Sequence, residues 1–220
     1  MAWRMTDRAP LKLHIDWFWI SPYVFTTFIT LKEKGLAFET IPVALQDKAQ
    51  LEPGFRDRSI TGRVPSLEDG DFWLAESQAI VDYLEEAYPD TPRVLPAGVK
   101  ERARARQILG WLRSDLGALR EERSTHTMFY GRATTPLTAA GRVAAEKLVR
   151  IADLLIPAGA TSLFGAWSIA DSDLAFMLHR LILNGEEVPA KVRAFADAQW
   201  ARPSVRAFVE RARPAYVPYG

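Results

Sequence analysis

Leu11-Lys-Leu-His-Ile-Asp-Trp17, then Phe18-Trp-Ile-Ser-Pro-Tyr23, then Ala37-Phe-Glu-Thr-Ile-Pro-Val43 are the segments that decide the fold. The first alternates apolar and polar residues, the period of a strand. Ser21 is a good N-cap, because its oxygen accepts an N–H that the first turn leaves unpaired, and Pro22 suits the first helical position. The spacing predicts a helix from Pro22 to about Lys34, stopped at Gly35, with Lys32 and Lys34 complementing the helix dipole in its last turn. Residues 37–43 read as a second strand, with Pro42 near an edge. Strand, helix and strand in this order imply a right-handed parallel crossover.

Residues 46–62 are polar and carry Pro53, Gly54 and Gly62, which predicts a short irregular helix and loop. Arg63–Leu67 and Phe72–Leu74 read as two strands joined by a hairpin turn at Glu68-Asp-Gly-Asp71. Glu76 and Ser77 open a helix that ends by Tyr88, with Ala79, Ile80, Tyr83 and Leu84 on one face. Pro89, Pro92, Pro96 and Gly98 mark residues 89–99 as a linker. Beyond it everything reads as helix. Ile108, Trp111, Leu112, Leu116 and Leu119 form one stripe. Thr138 caps a second helix with Ala144, Leu148, Ile151 and Leu155. Ser168 opens a third, and two shorter helices lie near 189–201 and 203–212. The expected class is α/β followed by all-α, with domains at 1–88 and 100–220. Met1–Pro10 reads as a flexible arm.

Composition narrows the function classes. The chain has 220 residues, 48% hydrophobic and 25% charged, so it carries enough apolar surface for a packed core. A net charge of +1 argues against a protein that coats nucleic acid. The balance hides an asymmetry, since residues 1–88 hold 9 basic and 14 acidic side chains and residues 89–220 hold 19 and 13. There is no cysteine, so no protein thiol acts and no disulfide forms, which fits a reducing cytoplasm. The N-terminus has no signal-peptide pattern. The longest uncharged runs, Trp17–Leu31 and Leu154–Ala170, are too short and too broken by proline to span a membrane. His14, His126 and His179 have no metal-ligand spacing, and no nucleotide-binding glycine pattern is present. No metal and no nucleic acid are therefore expected.

Four local motifs, in order, resemble the cytosolic glutathione S-transferases over nearly the whole chain. They are Ser21-Pro-Tyr23 after the first strand, Val64-Pro-Ser-Leu67, Glu76-Ser-Gln-Ala-Ile80, and Ser168-Ile-Ala-Asp171, with Arg202-Pro-Ser-Val205 as a similar ending. The run Arg102-Ala-Arg-Ala-Arg-Gln-Ile108 through Trp111–Leu116 and Arg120–Arg123 resembles the bacterial YfcF-type branch. The resemblance implies a thioredoxin-like domain followed by a helical one. It implies glutathione as co-substrate, a small hydrophobic electrophile or peroxide as the second, and a homodimer.

The resemblance also implies roles. Ser21 would donate a hydrogen bond to the glutathione thiolate. A free thiol has a pKa of about 8.5, and lowering it by about two units takes roughly 2.7 kcal/mol of thiolate stabilisation. A hydroxyl donor and a helix N-terminus are the groups that supply it. Tyr23 is the alternative donor, and read locally Ser21 and Pro22 also fit a plain helix start. Val64, before Pro65, would present its backbone to the cysteinyl unit. Ser77 would hold the γ-glutamyl carboxylate and Glu76 its ammonium. Arg63, Lys48, Arg56 and Arg58 are the choices for the glycyl carboxylate. Trp19, Tyr23, Trp111 and Asp115 would line the second substrate's pocket, and Arg113 or Arg120 would bind an anionic one. Ser168 and Asp171 form a structural capping box, with Ser172 where the usual hydrophobic staple needs an apolar residue. Conjugation or hydroperoxide reduction is the expected reaction. Omega-type members carry cysteine where Ser21 stands, which points here to thiolate stabilisation. A glutathione-dependent isomerase and a non-catalytic binding module are the alternatives; the Ser-Ser-x-Cys loop of the isomerases is absent.

Overall fold

β1 (Leu11–Asp16) forms where the alternation predicts it, and both of its faces are covered. Leu11, Leu13 and Ile15 are buried, and so are His14 and Asp16 between them. In this computed structural model, which describes residues 10–218, β2 (Phe38–Val43) pairs parallel to β1. The arm read at the N-terminus lies, apart from Pro10, outside the described residues. β3 (Ser66–Asp69) and β4 (Phe72–Ala75) complete an antiparallel hairpin, giving the order β2-β1-β3-β4. β3 begins later than expected because Ser66 Oγ donates to the Arg63 carbonyl at 2.9 Å and closes a turn there. Its hairpin turn tightens to Gly70 and Asp71, and Gly70 takes the positive φ of +66°.

α1 (Pro22–Glu33) is buried from Val24 to Leu31. Its threonines survive burial because Thr26 and Thr30 donate to the Pro22 and Thr26 carbonyls one turn back. Lys34 closes the helix, as Gly35 predicts, but it is not a solvated dipole partner. It is 2% exposed and donates to Glu85 at 3.0 Å and to the Pro92 carbonyl at 3.3 Å. Two short 3-10 turns, Leu45–Asp47 and Ala49–Leu51, lead to α2 (Pro53–Ser59). α3 (Ser77–Ala87) is tied to the hairpin by Tyr83 and Tyr88, whose hydroxyls both donate to Asp69 Oδ2 at 2.7 Å.

Residues 10–92 together with 212–218 form one unit, and 93–211 form the second. The chain after Arg211 therefore does not belong with the helices that precede it. Arg213 Nε donates to the Trp19 carbonyl at 3.2 Å, and the Tyr216 ring lies 5.1 Å from that of Phe18.

The second unit is helical: α4 (Val99–Ser114), α5 (Gly117–Glu122), α6 (Thr125–Phe129), α7 (Ala139–Leu155), α8 (Ile169–Ile182), α9 (Ala190–Trp200) and α10 (Pro203–Val209). The stripe from Ile108 to Leu119 does not lie on one helix. Leu116 takes φ +61°, and Asp115 Oδ1 accepts its N–H at 2.7 Å, breaking α4 from α5. On α7 the buried line is Gly141, Leu148 and Ala152, so of the expected stripe Leu148 alone is fully buried. Thr138 caps that helix, accepting from the Gly141 N–H at 3.2 Å.

α8 is buried along its whole length, and its capping box is complete. Trp167 meets Ser172 after all, through an Nε1–H donated to Ser172 Oγ at 3.1 Å instead of an apolar staple. Burial holds His179 at a pKa of about 4; its ring stacks on Trp200 at 3.8 Å and its Nδ1 lies 2.8 Å from the Ala175 carbonyl. Burial likewise lifts Asp171 to about 6, against the N–H groups of Leu163 and Ser168 and the Ser168 hydroxyl. The two act in opposite senses. Native His179 carries fewer protons than in the unfolded chain, so its contribution is complete above about pH 6.5 and is lost as pH falls toward 4. Native Asp171 holds its proton longer, so its contribution is present below about pH 4 and is lost as pH rises toward 6. Each amounts to about 3 kcal/mol. Urea unfolding between pH 4 and 7 is expected to give a nearly flat wild-type curve. His179→Gln should fall in stability as pH rises, and Asp171→Asn should rise. A His179→Gln curve parallel to wild type contradicts this.

Candidate functional site

The sheet register gathers the motifs. His14 of β1 lies opposite Ser66 of β3, and Ser66 lies opposite Ala75 of β4. Asp16, the last residue of β1, lies opposite Val43, the last of β2. The loop after β1 with Ser21, the turn before β3 with Arg63, Val64 and Pro65, the start of α3 with Glu76 and Ser77, and the segment after β2 with Lys48 therefore all leave one end of the sheet.

Ser21 is the N-cap of α1, and its Oγ accepts the Val24 N–H at 3.3 Å. That bond uses a lone pair and leaves the hydroxyl proton, which has no acceptor among the described residues. Capping and donation are thus compatible in one side chain. The Ser21 N–H is not part of an anion site, because Asp16 Oδ1 accepts it at 3.2 Å while Oδ2 accepts the Ile20 N–H at 2.7 Å. Asp16 is fully buried, which pushes its carboxyl up; the two N–H groups and the charge of Arg213 oppose that.

The Val64–Pro65 bond is cis. Glu76 is the N-cap of α3, but its side chain makes no capping bond, and its backbone sits at φ +69°, ψ 110°. A non-glycine residue held there costs on the order of 1–3 kcal/mol. Helix capping therefore does not explain Glu76. Ser77 begins α3 and is 4% exposed.

The basic residues separate by their partners. Arg56 pairs with Asp57 at 3.2 Å, and Arg58 lies over the Trp73 ring at 5.4 Å. Lys48 and Arg63 are exposed, and their side chains form no ion pair among the described residues. Lys48 also takes φ +60°, between the two 3-10 turns.

Of the expected pocket residues, Trp19 and Tyr23 lie in the first unit and Trp111 and Asp115 in the second. Trp19 is 6% exposed and packs edge-on against Phe28 at 5.6 Å, so it is a core side chain of its unit. Tyr23 is half-buried on α1. Trp111 and Asp115 lie in the helical unit and bind each other, Nε1 to Oδ2 at 3.0 Å; Lys147 also binds Asp115, and its hydrogen bond and the Leu116 N–H hold that carboxyl below its usual range. Arg113 pairs with Asp173 at 2.9 Å and also donates to the Leu109 carbonyl, and Arg120 donates to the Arg113 carbonyl. Both guanidiniums thus have partners inside the helical unit. That unit also holds a cleft of about 430 Å³, lined in part by Leu137, Val149, Leu181 and Pro189, and none of the expected site residues borders it. Among the described residues no group of three or more His, Asp or Glu is placed to hold a metal ion. No helix of the described residues is long and apolar enough to cross a membrane.

Asp16 and Arg213 escaped the sequence reading. For Asp16 a signal existed: a carboxylate at a strand end, a few residues before a Ser-Pro helix start, is placed to accept loop N–H groups. Arg213 had none, since its contact spans 194 residues.

A mixed sheet of this order, with a cis-proline before β3, followed by helices that include a buried, boxed one, defines the thioredoxin-like plus helical architecture. The glutathione S-transferase N-terminal domain family model matches residues 18–92, and the C-terminal domain model matches residues 98–213. The chain belongs to the glutathione S-transferase family. It is 40% identical to a glutathione transferase homologue from Burkholderia gl BGR1 solved with bound glutathione, over 92% of this chain and 97% of that one, at a TM-score of 0.76. A theta class enzyme from Xanthomonas axonopodis pv. citri, also with glutathione bound, is 25% identical over 93% and 99%, at 0.73. Glutathione S-transferase Z1 of Arabidopsis thaliana is 37% identical over 99 residues, which are 45% of this chain and 44% of that relative. The match thus spans under half the length of that curated relative.

Proposed function

We propose that this protein is a glutathione transferase that activates the glutathione thiol through Ser21, for conjugation to electrophiles or reduction of organic hydroperoxides. The observation that carries the reading is the Ser21 hydroxyl, at the N-terminus of a buried helix, with its lone pair used by Val24 and its proton left to donate. Glutathione bound to the Burkholderia homologue supports it as co-substrate. Glutathione, when bound, supplies the nucleophilic sulfur. The chain supplies the rest. Ser21 donates to the thiolate. Val64, before Pro65, offers its backbone N–H and C=O. Ser77, at the N-terminus of α3, takes a carboxylate, and Glu76 takes an ammonium. Lys48 and Arg63, uncommitted at the same sheet end, are the anchors for a second carboxylate. Tyr23 and Trp111 remain the choices for contact with the acceptor. We assign the protein to the Ser-type, YfcF-like branch, acting in the cytoplasm as a homodimer. Residues 1–88, with the segment after Arg211, would bind glutathione, and the helices beyond the linker at 89–99 would bind the acceptor.

The alternative is a module that binds glutathione without turnover, and one pair of assays separates them. The enzyme reading expects retention on immobilised glutathione together with turnover of at least one member of a panel of aryl halides, epoxides and organic hydroperoxides. Retention with no turnover on any of them supports the binding module, and no retention contradicts both.

A further inference from the structure

The loop that carries Ser21 is held in an unfavourable shape from two sides. Trp19 sits at φ +55°, in the left-handed region that a bulky side chain disfavours. On one side, all three N–H groups of Trp19, Ile20 and Ser21 go to Asp16. The Trp19 N–H meets its carbonyl at 3.1 Å, and the other two meet its carboxylate at 2.7 and 3.2 Å. On the other side, the Trp19 carbonyl accepts from Arg213 Nε at 3.2 Å. Arg213 comes from residues 212–218, which have no regular secondary structure and which lay Tyr216 against Phe18. A left-handed residue two positions before the N-cap sets where Ser21 stands. Were Trp19 to relax to negative φ, the loop would swing and carry the hydroxyl with it.

We propose that Asp16 and Arg213 are positioning residues, forming a clamp in which the segment after α10 locks the Ser21 hydroxyl in its donating geometry. The proposal rests on the reading of Ser21 as thiolate donor. Neither clamp residue needs to touch glutathione: Asp16 is fully buried and spends both oxygens on loop N–H groups. Arg213 is half-buried, so its replacement leaves the fold intact, and thermal unfolding verifies that. The clamp also accounts for a costly feature. A buried carboxylate beside a site built to hold an anion works against that anion, and the guanidinium of Arg213 offsets its charge.

The test is the pKa of the bound glutathione thiol, read from thiolate ultraviolet absorbance, in wild type, Arg213→Gln, Ser21→Ala and the double variant. Arg213→Gln is expected to raise that pKa by about half a unit to one unit, with the acceptor KM unchanged and kcat at pH 6.5 lowered by no more than about twofold, because the more basic thiolate attacks faster. In the Ser21→Ala background the same change should add nothing, because the residue it positions is gone. Asp16→Asn, which turns one acceptor into a donor facing a loop N–H, should follow Arg213→Gln. If Ser21→Ala raises the pKa and Arg213→Gln does not, the clamp is wrong and the Ser21 reading stands. If the shifts of the two single variants add in the double, Arg213 acts on the thiolate directly and the proposal also fails. If Ser21→Ala itself leaves the pKa unchanged, both readings fall.

Discussion

Replacing Ser21 with alanine is expected to move the midpoint of the kcat/KM–pH profile upward by about two units, from near 6.5 toward the free-thiol value of about 8.5. The expectation follows from which part of Ser21 the fold uses. The Val24 N–H occupies the oxygen as acceptor at 3.3 Å, so helix and thiolate do not compete for the proton. At pH 6.5 the thiolate fraction falls from about one half to about one hundredth. The more basic thiolate attacks faster, by close to a decade for two units, so the net loss in rate is about sixfold at pH 6.5. The loss shrinks as pH rises and disappears above about pH 8. Loss of the cap costs about 1 kcal/mol of stability, which leaves the variant folded. A rate loss that is the same at pH 6.5 and pH 9 argues that Ser21 is a structural cap whose loss disturbs the site in some other way.

The largest expected effect on stability belongs to Asp171→Ala. This carboxylate is fully buried and accepts from the Leu163 N–H at 2.6 Å, the Ser168 N–H at 2.7 Å and the Ser168 hydroxyl at 2.9 Å. Alanine leaves all three donors buried and unmet, at about 1–3 kcal/mol apiece before relaxation. It also removes the start of α8, the one helix of the second unit buried from end to end. The expected loss is about 4 kcal/mol, a fall in Tm of roughly 10 °C for a chain of this size. Ser168→Ala removes one donor along with one acceptor of the box and should cost less than half as much. Equal losses in the two variants contradict this ranking.

What the sequence made legible was local. Ser21-Pro22 and Gly35 bracket α1 because caps and stops act within a turn, and the strand–helix–strand order sets β2 beside β1. Ser168 and Asp171 could be read as a box because their bonds span three residues. Features that depend on distant partners stayed hidden. Lys34 reads as a surface charge until Glu85 and Pro92 close over it. The burial of Trp19 against Phe28, and its left-handed backbone, are likewise not visible in its sequence neighbours. The stripe through Leu116 looks continuous because periodicity cannot show that Asp115 captures the Leu116 N–H. In the candidate site, the residue types that bind anions were recognisable one by one. Their gathering at one sheet end follows from the β1–β3–β4 register, and the clamp on the Ser21 loop from a contact 194 residues long.

Ser21 is expected to lower the pKa of the glutathione thiol. The direct measurement is the ultraviolet absorbance of bound thiolate, titrated from pH 5 to 10 in the native protein and in Ser21→Ala at saturating glutathione. The expected result is a native midpoint well below the free value of about 8.5 and a return to that value in the variant. Binding with the same midpoint in both proteins would contradict it.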